Sequence, residues 1–330
     1  MTITKPKYYD QFRCLASACP DSCCHQWAVV VDEASAERYR ALDGMLGEAL
    51  RKAMTNEDGD IILSLNPDGR CPMWQSDGLC RIQAQLGEDA LCDTCRQFPR
   101  LRHDYGDFVE LGLELSCPEA ARLILNCNSK GISQTAPGGD TPDFDLQDMR
   151  ILLHSREQAL SLLENDSLSV PETLTVLLLY SYSVQEELDG GTAASLHPQQ
   201  DLAVAHSLPL APTGNILDLC GELNILTQHW RERLADPQTG DWTQPYRALI
   251  RYFIDRYWLQ AISDGDLVSR IKLIIFSCLV IKTLGGDLCQ TAQLYSKEIE
   301  NDAENINAIL DAAYTQPALS DANLLYLLLR

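Results

Sequence analysis

The chain has 330 residues, of which 45% are hydrophobic and 22% are charged, and its formal net charge at pH 7 is −21. A chain of this length folds as one large domain or two and removes roughly three quarters of its unfolded surface from water. Nucleic acid requires a basic surface, and a membrane span requires about 20 consecutive apolar residues, which no stretch provides. We therefore expect a protein that binds neither nucleic acid nor membrane.

The cysteines are concentrated in the N-terminal part of the chain. Ten of the 13 lie at or before Cys127, and four fall between Cys14 and Cys24. The first residues are followed by polar and aromatic side chains rather than by an apolar leader segment, so we predict a cytoplasmic protein. In a reducing compartment, thiols at this density indicate metal ligation rather than disulfide bonds.

The N-terminal part is predicted to contain short elements around these cysteines. In chain order they are an extended segment at 27–32, a helix at 36–53 opened by Asp32, a polar turn at 56–60, a strand at 61–65, a small hairpin with Cys71 and Cys80 on its two arms, and helices at 82–90 and 119–127. Valines favour extended backbone, acids favour the first turn of a helix, and Pro118 suits the first helical position.

The remainder of the chain has helical periodicity. Residues 129–143 are rich in Gly, Pro, Ser and Thr and predict a linker, and 190–212 predict a long loop. The predicted helices are 148–163, 171–188, 215–234, 245–263, 267–284, 287–314 and 321–329. The predicted fold class is mainly α, with an irregular, cysteine-rich, metal-binding module at 1–130 that holds a few short strands, followed by an α-helical domain at 144–330.

Two kinds of metal centre compete for these thiols. Zinc prefers four tetrahedral ligands in close pairs; Cys92 and Cys95 form one such pair, and Cys71 and Cys80 form a looser one. An iron–sulfur cluster tolerates the irregular spacing of the run from Cys14 to Cys24, and the three Cys-Pro dipeptides are familiar from iron–sulfur proteins. We favour an iron–sulfur cluster and keep zinc as the alternative; a core of reduced thiols without metal is the third interpretation.

Other residues have simpler expected roles. Four cysteines lie on apolar helical faces and are expected in the core, where free thiols are common: Cys127, Cys220, Cys278 and Cys289. Arg96 and Arg100 lie close to Cys95 in the sequence. Because an arginine fork pairs well with a carboxylate, these two arginines are our candidates for cofactor binding.

The order of the N-terminal motifs resembles a known family. The motifs are Cys14…Cys19…Cys23-Cys24-His-Gln-Trp27, Cys71-Pro72…Gly78-Leu79-Cys80-Arg81-Ile82-Gln83, Leu86-Gly87…Leu91…Cys95…Phe98-Pro99-Arg100 and Leu115-Ser116-Cys117-Pro118-Glu119. Together, over about residues 8–130, they look like the flagellin lysine N-methylases. The N-terminal part of that family is in turn similar to the CxxCxxCC group of zinc- or iron-chelating domains.

The resemblance implies a function and a ligand set. Members of that family transfer methyl groups from S-adenosylmethionine to lysines of flagellin, with a [4Fe–4S] cluster involved. The matching metal ligands in this sequence are Cys14, Cys19, Cys23, Cys24, Cys71, Cys80, Cys95 and Cys117; Cys92 is an extra thiol without a counterpart. The competing hypothesis is a non-catalytic metal-binding or carrier protein whose helical domain docks a partner.

Overall fold

The computed structural model describes residues 1–127, 131–139 and 141–330. The strands in these ranges are β1 (Thr2–Lys5), β2 (Val29–Val30), β3 (Met54–Glu57), β4 (Asp60–Leu63), β5 (Arg100–Asp104), β6 (Phe108–Leu113) and β7 (Ile132–Thr135). The helices of the first half are α1 (Glu33–Ala41), α2 (Gly44–Ala53), α3 (Arg81–Leu86), α4 (Asp93–Gln97), α5 (Pro118–Leu125) and α6 (Leu146–Leu162).

The helices that follow are α7 (Val170–Leu188), α8 (Pro198–Ser207), α9 (Ile216–Glu222), α10 (Gln228–Ala235), α11 (Tyr246–Tyr257), α12 (Leu267–Leu284), α13 (Leu288–Tyr295), α14 (Ala303–Thr315) and α15 (Asp321–Leu329). The fold is therefore mainly α, as predicted. Helix α12 is apolar on all sides and buried along nearly its whole length, which is typical of a central core helix. It packs against α7 and α14.

Four strands form a mixed sheet in the order β5-β6-β1-β7. Strand β1 runs parallel to β6 and antiparallel to β7, while β5 and β6 form an antiparallel hairpin. This sheet corrects one prediction. The predicted linker at 129–143 contains β7, although residues 128–130 and 140 of that region lie outside the described residues. The first residues of the chain, for which no element was predicted, form β1.

A second, antiparallel sheet has the order β2-β4-β3. The predicted turn at 56–60 was too long, because β3 continues to Glu57 and pairs with β4. The turn is confined to Asp58 and Gly59, both with positive φ (50° and 98°), which is the two-residue hairpin geometry that Asp-Gly favours.

Two predicted helices are interrupted, and one predicted loop contains a helix. The helix predicted at 36–53 is two helices, because Leu42 and Asp43 are extended and Gly44 has φ of +79°. The loop predicted at 190–212 contains α8, which begins at Pro198. The helix predicted at 215–234 breaks into α9 and α10.

The C-terminal prediction at 287–314 also needs correction. Helix α13 runs directly into a π-helical segment, Ser296–Glu300, and a break at Asn301 and Asp302 precedes α14. π-helical turns are rare and occur frequently at functional sites.

The helix predicted at 245–263 is also shorter than expected. It ends as α11 at Tyr257, and the segment from 258 to 263 is a 3₁₀ helix.

The apolar side chains form two clusters. The larger one holds α5 together with the helices from α6 onward, and the smaller one holds side chains between Val29 and Cys92. Cys220 and Cys278 are fully buried, which confirms the core prediction for them, whereas Cys127 and Cys289 are only partly buried. Among the described residues, no helix is long and apolar enough to cross a membrane.

Candidate metal centre

Five thiols lie in or against the smaller apolar cluster. Cys71 and Cys92 are buried there, and Cys24, Cys80 and Cys95 pack against it. We call these five the inner thiol group. Burial raises the pKa of Cys71 and Cys80, a hydrogen bond to Cys92 together with burial raises that of Cys95, and charge on the neighbouring Cys24 acts in the same direction on all three. Three separate chain segments contribute these sulfur atoms.

Backbone pairing positions the inner thiol group. The amide of Cys71 donates to the carbonyl of Cys24 at 2.8 Å, so the first cysteine-rich segment lies directly beside the second. Trp74 and Cys80 form an antiparallel bridge, and the amide of Arg81 donates to the carbonyl of Met73 at 2.7 Å. The predicted hairpin with a thiol on each arm is thereby confirmed.

Cys92 belongs to the inner thiol group, although the family motifs contain no cysteine that matches it. It is the N-cap of α4, and Cys95 lies inside that helix. A thiol–thiol hydrogen bond from Cys95 lowers the pKa of Cys92 to about 7 and raises that of Cys95. The Cys-x-x-Cys spacing was the sequence signal for this pair.

Four more thiols form the outer thiol group: Cys14, Cys19, Cys23 and Cys117. Cys14 and Cys23 are exposed, Cys19 is half-buried, and Cys117 is buried at the start of α5, where Pro118 occupies the predicted first position. Burial raises the pKa of Cys19 and Cys117, a hydrogen bond to Cys24 together with burial raises that of Cys23, and charge on Cys14 acts in the same direction on all three. The two groups meet at the neighbouring residues Cys23 and Cys24.

The thiols differ in how readily they become thiolates. A hydrogen bond from Cys23 lowers the pKa of Cys24 to about 7, whereas burial raises the pKa of Cys71 to about 12 and that of Cys117 to about 11. All 13 cysteines are free thiols. Within the described ranges, no three His, Cys, Asp or Glu side chains already converge in ligating positions.

The donor set nevertheless has the chemistry of a soft-metal site. Thiolates from several segments, packed in a small apolar core, suit an iron–sulfur cluster or zinc better than a hard cation. Trp27 lies beside Cys23: its indole N–H donates to the carbonyl of Cys23 at 2.8 Å, and its ring lies 5.8 Å from that of Phe98. Trp74 lies 6.1 Å from the ring of His25.

A part-buried ion pair ties the first cysteine-rich segment to the helical part. The ammonium of Lys297, in the π-helical segment, lies 2.7 Å from Asp21, and Gln293 of α13 donates both to Asp21 and to the carbonyl of Ser116 at 2.8 Å. A cleft of about 410 Å³ borders this contact. The π-helical turn therefore places Lys297 beside the outer thiol group.

The predicted cofactor arginines lie elsewhere. Arg96 forms an ion pair with Asp93 on the surface of α4, and Arg100 lies over the ring of Phe12 at 5.3 Å. Neither arginine lines the cleft beside Lys297 or the cavity between the mixed sheet and helix α11. Their proposed role in cofactor binding stays a prediction.

A buried polar network lies between the thiols and the helical core. Arg256 of α11 contacts Glu300 at 3.2 Å and Glu114 at 3.4 Å, and donates to the hydroxyl of Tyr252 at 2.9 Å. The hydroxyl of Tyr257 donates to Glu300 at 2.8 Å. Since Glu114 lies three residues before Cys117, this network fixes the segment that leads to the outer thiol group.

Beyond this network, a cavity of about 310 Å³ lies between the mixed sheet and helices α6 and α11. Its polar wall includes Tyr8, His103, Glu110, Arg156 and Asp255. These residues come from four distant segments, so no sequence motif could have pointed to them. The volume lies at the lower end of the range typical of small-molecule sites.

Part of the chain is similar to known proteins. The flagellar biosynthetic protein FliU of Salmonella muenchen is 35% identical over 137 residues, which are 38% of this chain and 78% of FliU. Two proteins named lysine-N-methylase, from Salmonella typhimurium and Salmonella choleraesuis, are each 36% identical, over 133 and 137 residues. The chain belongs to the flagellin lysine N-methylase family.

The match to these two lysine-N-methylases covers only 33% of their length and 38% of this chain. No family model matches the chain, and no solved structure matches it. The expected similarity to the CxxCxxCC group stays a prediction.

Proposed function

We propose that this protein is a protein-lysine N-methyltransferase that transfers methyl groups from S-adenosylmethionine to surface lysines of flagellin. The observation that carries the proposal is the 36% identity to proteins named lysine-N-methylase. The flagellar name of the FliU relative supports a target in the flagellum. The net charge of −21 suits a substrate surface rich in lysine.

We further propose that the thiols hold a [4Fe–4S] cluster, with zinc as the alternative. Four members of the inner thiol group, Cys24, Cys71, Cys80 and either Cys92 or Cys95, would supply the thiolates. Such a cluster would supply one-electron chemistry, whereas zinc would stabilise the fold. The outer thiol group offers further sulfur ligands beside the cleft at Lys297 and Asp21.

The residues of this chain have separate tasks in the proposal. The Trp27 and Trp74 rings exclude water from the thiols, and the Lys297–Asp21 pair holds the cysteine-rich segment against the helices. Arg256, with Glu114 and Glu300, fixes the segment before Cys117. The acceptor lysine must lose its proton before its amine attacks a sulfonium methyl group, since an ordinary lysine has a pKa of about 10.4.

The direct test is transfer of a labelled methyl group from S-adenosylmethionine to purified flagellin, with the protein purified anaerobically. We expect incorporation at lysine by the unmodified protein and by Cys278→Ser, and a large loss by Cys71→Ser. Absence of transfer by the unmodified protein with an intact metal centre would favour the non-catalytic metal-binding alternative.

A further inference from the structure

The cavity between the mixed sheet and helices α6 and α11 has an unbalanced charge pattern. Four cations line it, and each has a carboxylate partner: Lys5 with Asp10 at 2.7 Å, Arg156 with Glu110 at 2.6 Å, Arg251 with Glu164 at 3.8 Å, and Arg256 with Glu300 at 3.2 Å. Two lining carboxylates, Asp255 and Glu157, form no ion pair with another described residue. The unpaired charge in the cavity is therefore negative.

Asp255 is deep in the molecule and yet accessible. It lies near the end of helix α11 with many protein atoms around it, and its side chain lines the cavity, where it is exposed to solvent. Burial raises its pKa to about 6; the guanidinium groups of Arg156 and Arg251 act in the opposite direction, and Glu110 acts in the same direction. The phenol of Tyr8 also faces it. Asp255 is thus a carboxylate at neutral pH that takes up a proton more readily than an ordinary aspartate.

A second polar group in the wall has no partner. Nε2 of His103 is buried and forms no hydrogen bond with another described residue. Burial and the neighbouring Arg256 lower the pKa of His103, so the imidazole is neutral at physiological pH. A buried polar atom without a partner is costly unless a ligand or water satisfies it. The cavity therefore offers a carboxylate and a neutral imidazole to an incoming group.

The other walls are apolar. Leu101, Leu113, Ile124 and Leu160 line the cavity beside the polar groups. An aliphatic stem of four carbons can pack against such a surface while its charged end reaches polar partners. Glu157 is exposed on the same lining and attracts positive charge toward the opening. The combination fits a primary alkylammonium, which is the end of a lysine side chain.

We propose that this cavity binds the side chain of the acceptor lysine and that Asp255 accepts the proton of its ε-ammonium. The proposal rests on the proposed methyltransferase function and names the substrate site and the catalytic base for it. Proton transfer gives a neutral amine and a protonated Asp255. The amine nitrogen then bonds to the methyl carbon of the sulfonium donor, the carbon–sulfur bond breaks, and its electron pair stays on sulfur. Asp255 releases its proton to solvent.

The first test measures methyl transfer to flagellin at pH 7.5 by the full-length holoprotein and by Asp255→Asn. Because a general base contributes about 10²–10⁴-fold, we expect the variant to lose at least about 100-fold in rate. Asp311→Asn is the matched control, since it removes the same charge from an exposed position on α14 outside the cavity. Metal content and circular dichroism must match in all three proteins. An active unmodified protein with an equally active Asp255→Asn would overturn the proposal and leave the methyltransferase function standing.

The second test does not depend on methyl transfer. Calorimetry measures binding of Nα-acetyl-lysine amide to the same three proteins. We expect about tenfold or greater weakening in Asp255→Asn and unchanged binding in Asp311→Asn. If the unmodified protein transfers no methyl group but this pattern of binding appears, the proposed function fails while the lysine site stands. Equal binding by all three proteins, or no binding by the unmodified protein at millimolar peptide, would overturn the site.

Discussion

The charged form of Asp255 lowers the stability of the folded protein. Its raised pKa means that the folded protein binds a proton more tightly than the unfolded chain between about pH 4 and pH 6. The charged form is therefore unfavourable in the folded state above about pH 6, and this cost disappears below about pH 4, where both states are protonated. Active-site residues frequently reduce stability in this way.

Asp255→Asn is expected to increase the free energy of unfolding at pH 8, and the gain should shrink as the pH falls toward 4.5. Urea unfolding at the two pH values measures the difference, with Asp311→Asn as the control. An equal effect of Asp255→Asn at both pH values would show that the carboxyl group has an ordinary pKa in the folded protein.

Glu300 stabilises the folded protein, because its carboxylate is the acceptor and ion-pair partner of buried side chains. Its carboxylate receives contacts from Arg256, Tyr252 and Tyr257, and its side chain is 1% exposed. We expect Glu300→Ala to cost about 3–5 kcal/mol in urea unfolding, since it removes one of the two carboxylate partners of the buried Arg256 and the acceptor of two buried tyrosine hydroxyls. Removal of Glu33, which pairs with Arg40 on the surface, should cost less than about 1 kcal/mol. Similar losses in both variants would contradict the buried network.

The structure and the family resemblance lead to different expectations for Cys92, because the resemblance leaves this thiol out of the ligand set. It lies in the inner thiol group and shares a hydrogen bond with Cys95. We expect Cys71→Ser to lower the bound iron or zinc, measured per chain after anaerobic purification, and we expect one of Cys92→Ser and Cys95→Ser to lower it as well, which identifies the fourth ligand. Cys278→Ser removes a buried thiol from the helical core and should retain the metal. Full metal content in Cys92→Ser would assign the ligands to the other thiols.

The spacing of residues in the sequence indicates which cysteines are candidate metal ligands, but it does not indicate which residues line the cavity. The short intervals within Cys14–Cys24 and between Cys92 and Cys95 are sufficient by themselves to indicate metal ligation. Asp255 and Glu110 carry no comparable signal, because they lie far apart in the chain and meet only through tertiary packing. The absence of a local motif therefore explains why no catalytic base was predicted.

Among the elements, helices with strong local signals were the easiest to predict. The predicted bounds of α12 and α15 agree with the structure, since Asp266 and Ser320 cap them and their apolar runs are continuous. The interval 287–314 has a similar helical pattern but contains a π-helical turn and a break. That irregularity serves tertiary contacts of Lys297 and Glu300, which composition does not reveal.

The end of α12 offers a test at the element scale. Gly285 terminates the helix with φ of +62°, and a Cβ atom there would collide with the carbonyl of Gln238. Gly190, after α7, has φ of +84° but open space around the same position. Gly285→Ala should therefore destabilise the protein clearly more than Gly190→Ala, for which about 1–2 kcal/mol is expected from the backbone alone. Equal shifts of the urea midpoint would contradict the close approach.

For the molecule as a whole, the residue pattern predicts the helical character but does not indicate the mixed sheet. Strand β1 pairs with β6 and β7, which lie more than 100 residues away, and local composition contains no information on such partners. The same sheet forms one wall of the cavity that holds Asp255. The division into modules at 1–130 and 144–330 stays a prediction, and α5 shares its apolar cluster with the later helices.

The most direct test of the central claim, a thiolate-bound cluster in the N-terminal part, is anaerobic purification followed by the visible absorption spectrum, with iron, sulfide and zinc determined on the same sample. We predict broad charge-transfer absorption in the visible range and about four iron and four sulfide per chain, as for a thiolate-ligated [4Fe–4S] cluster. A colourless protein with stoichiometric zinc would contradict the cluster and assign the thiols to a structural site.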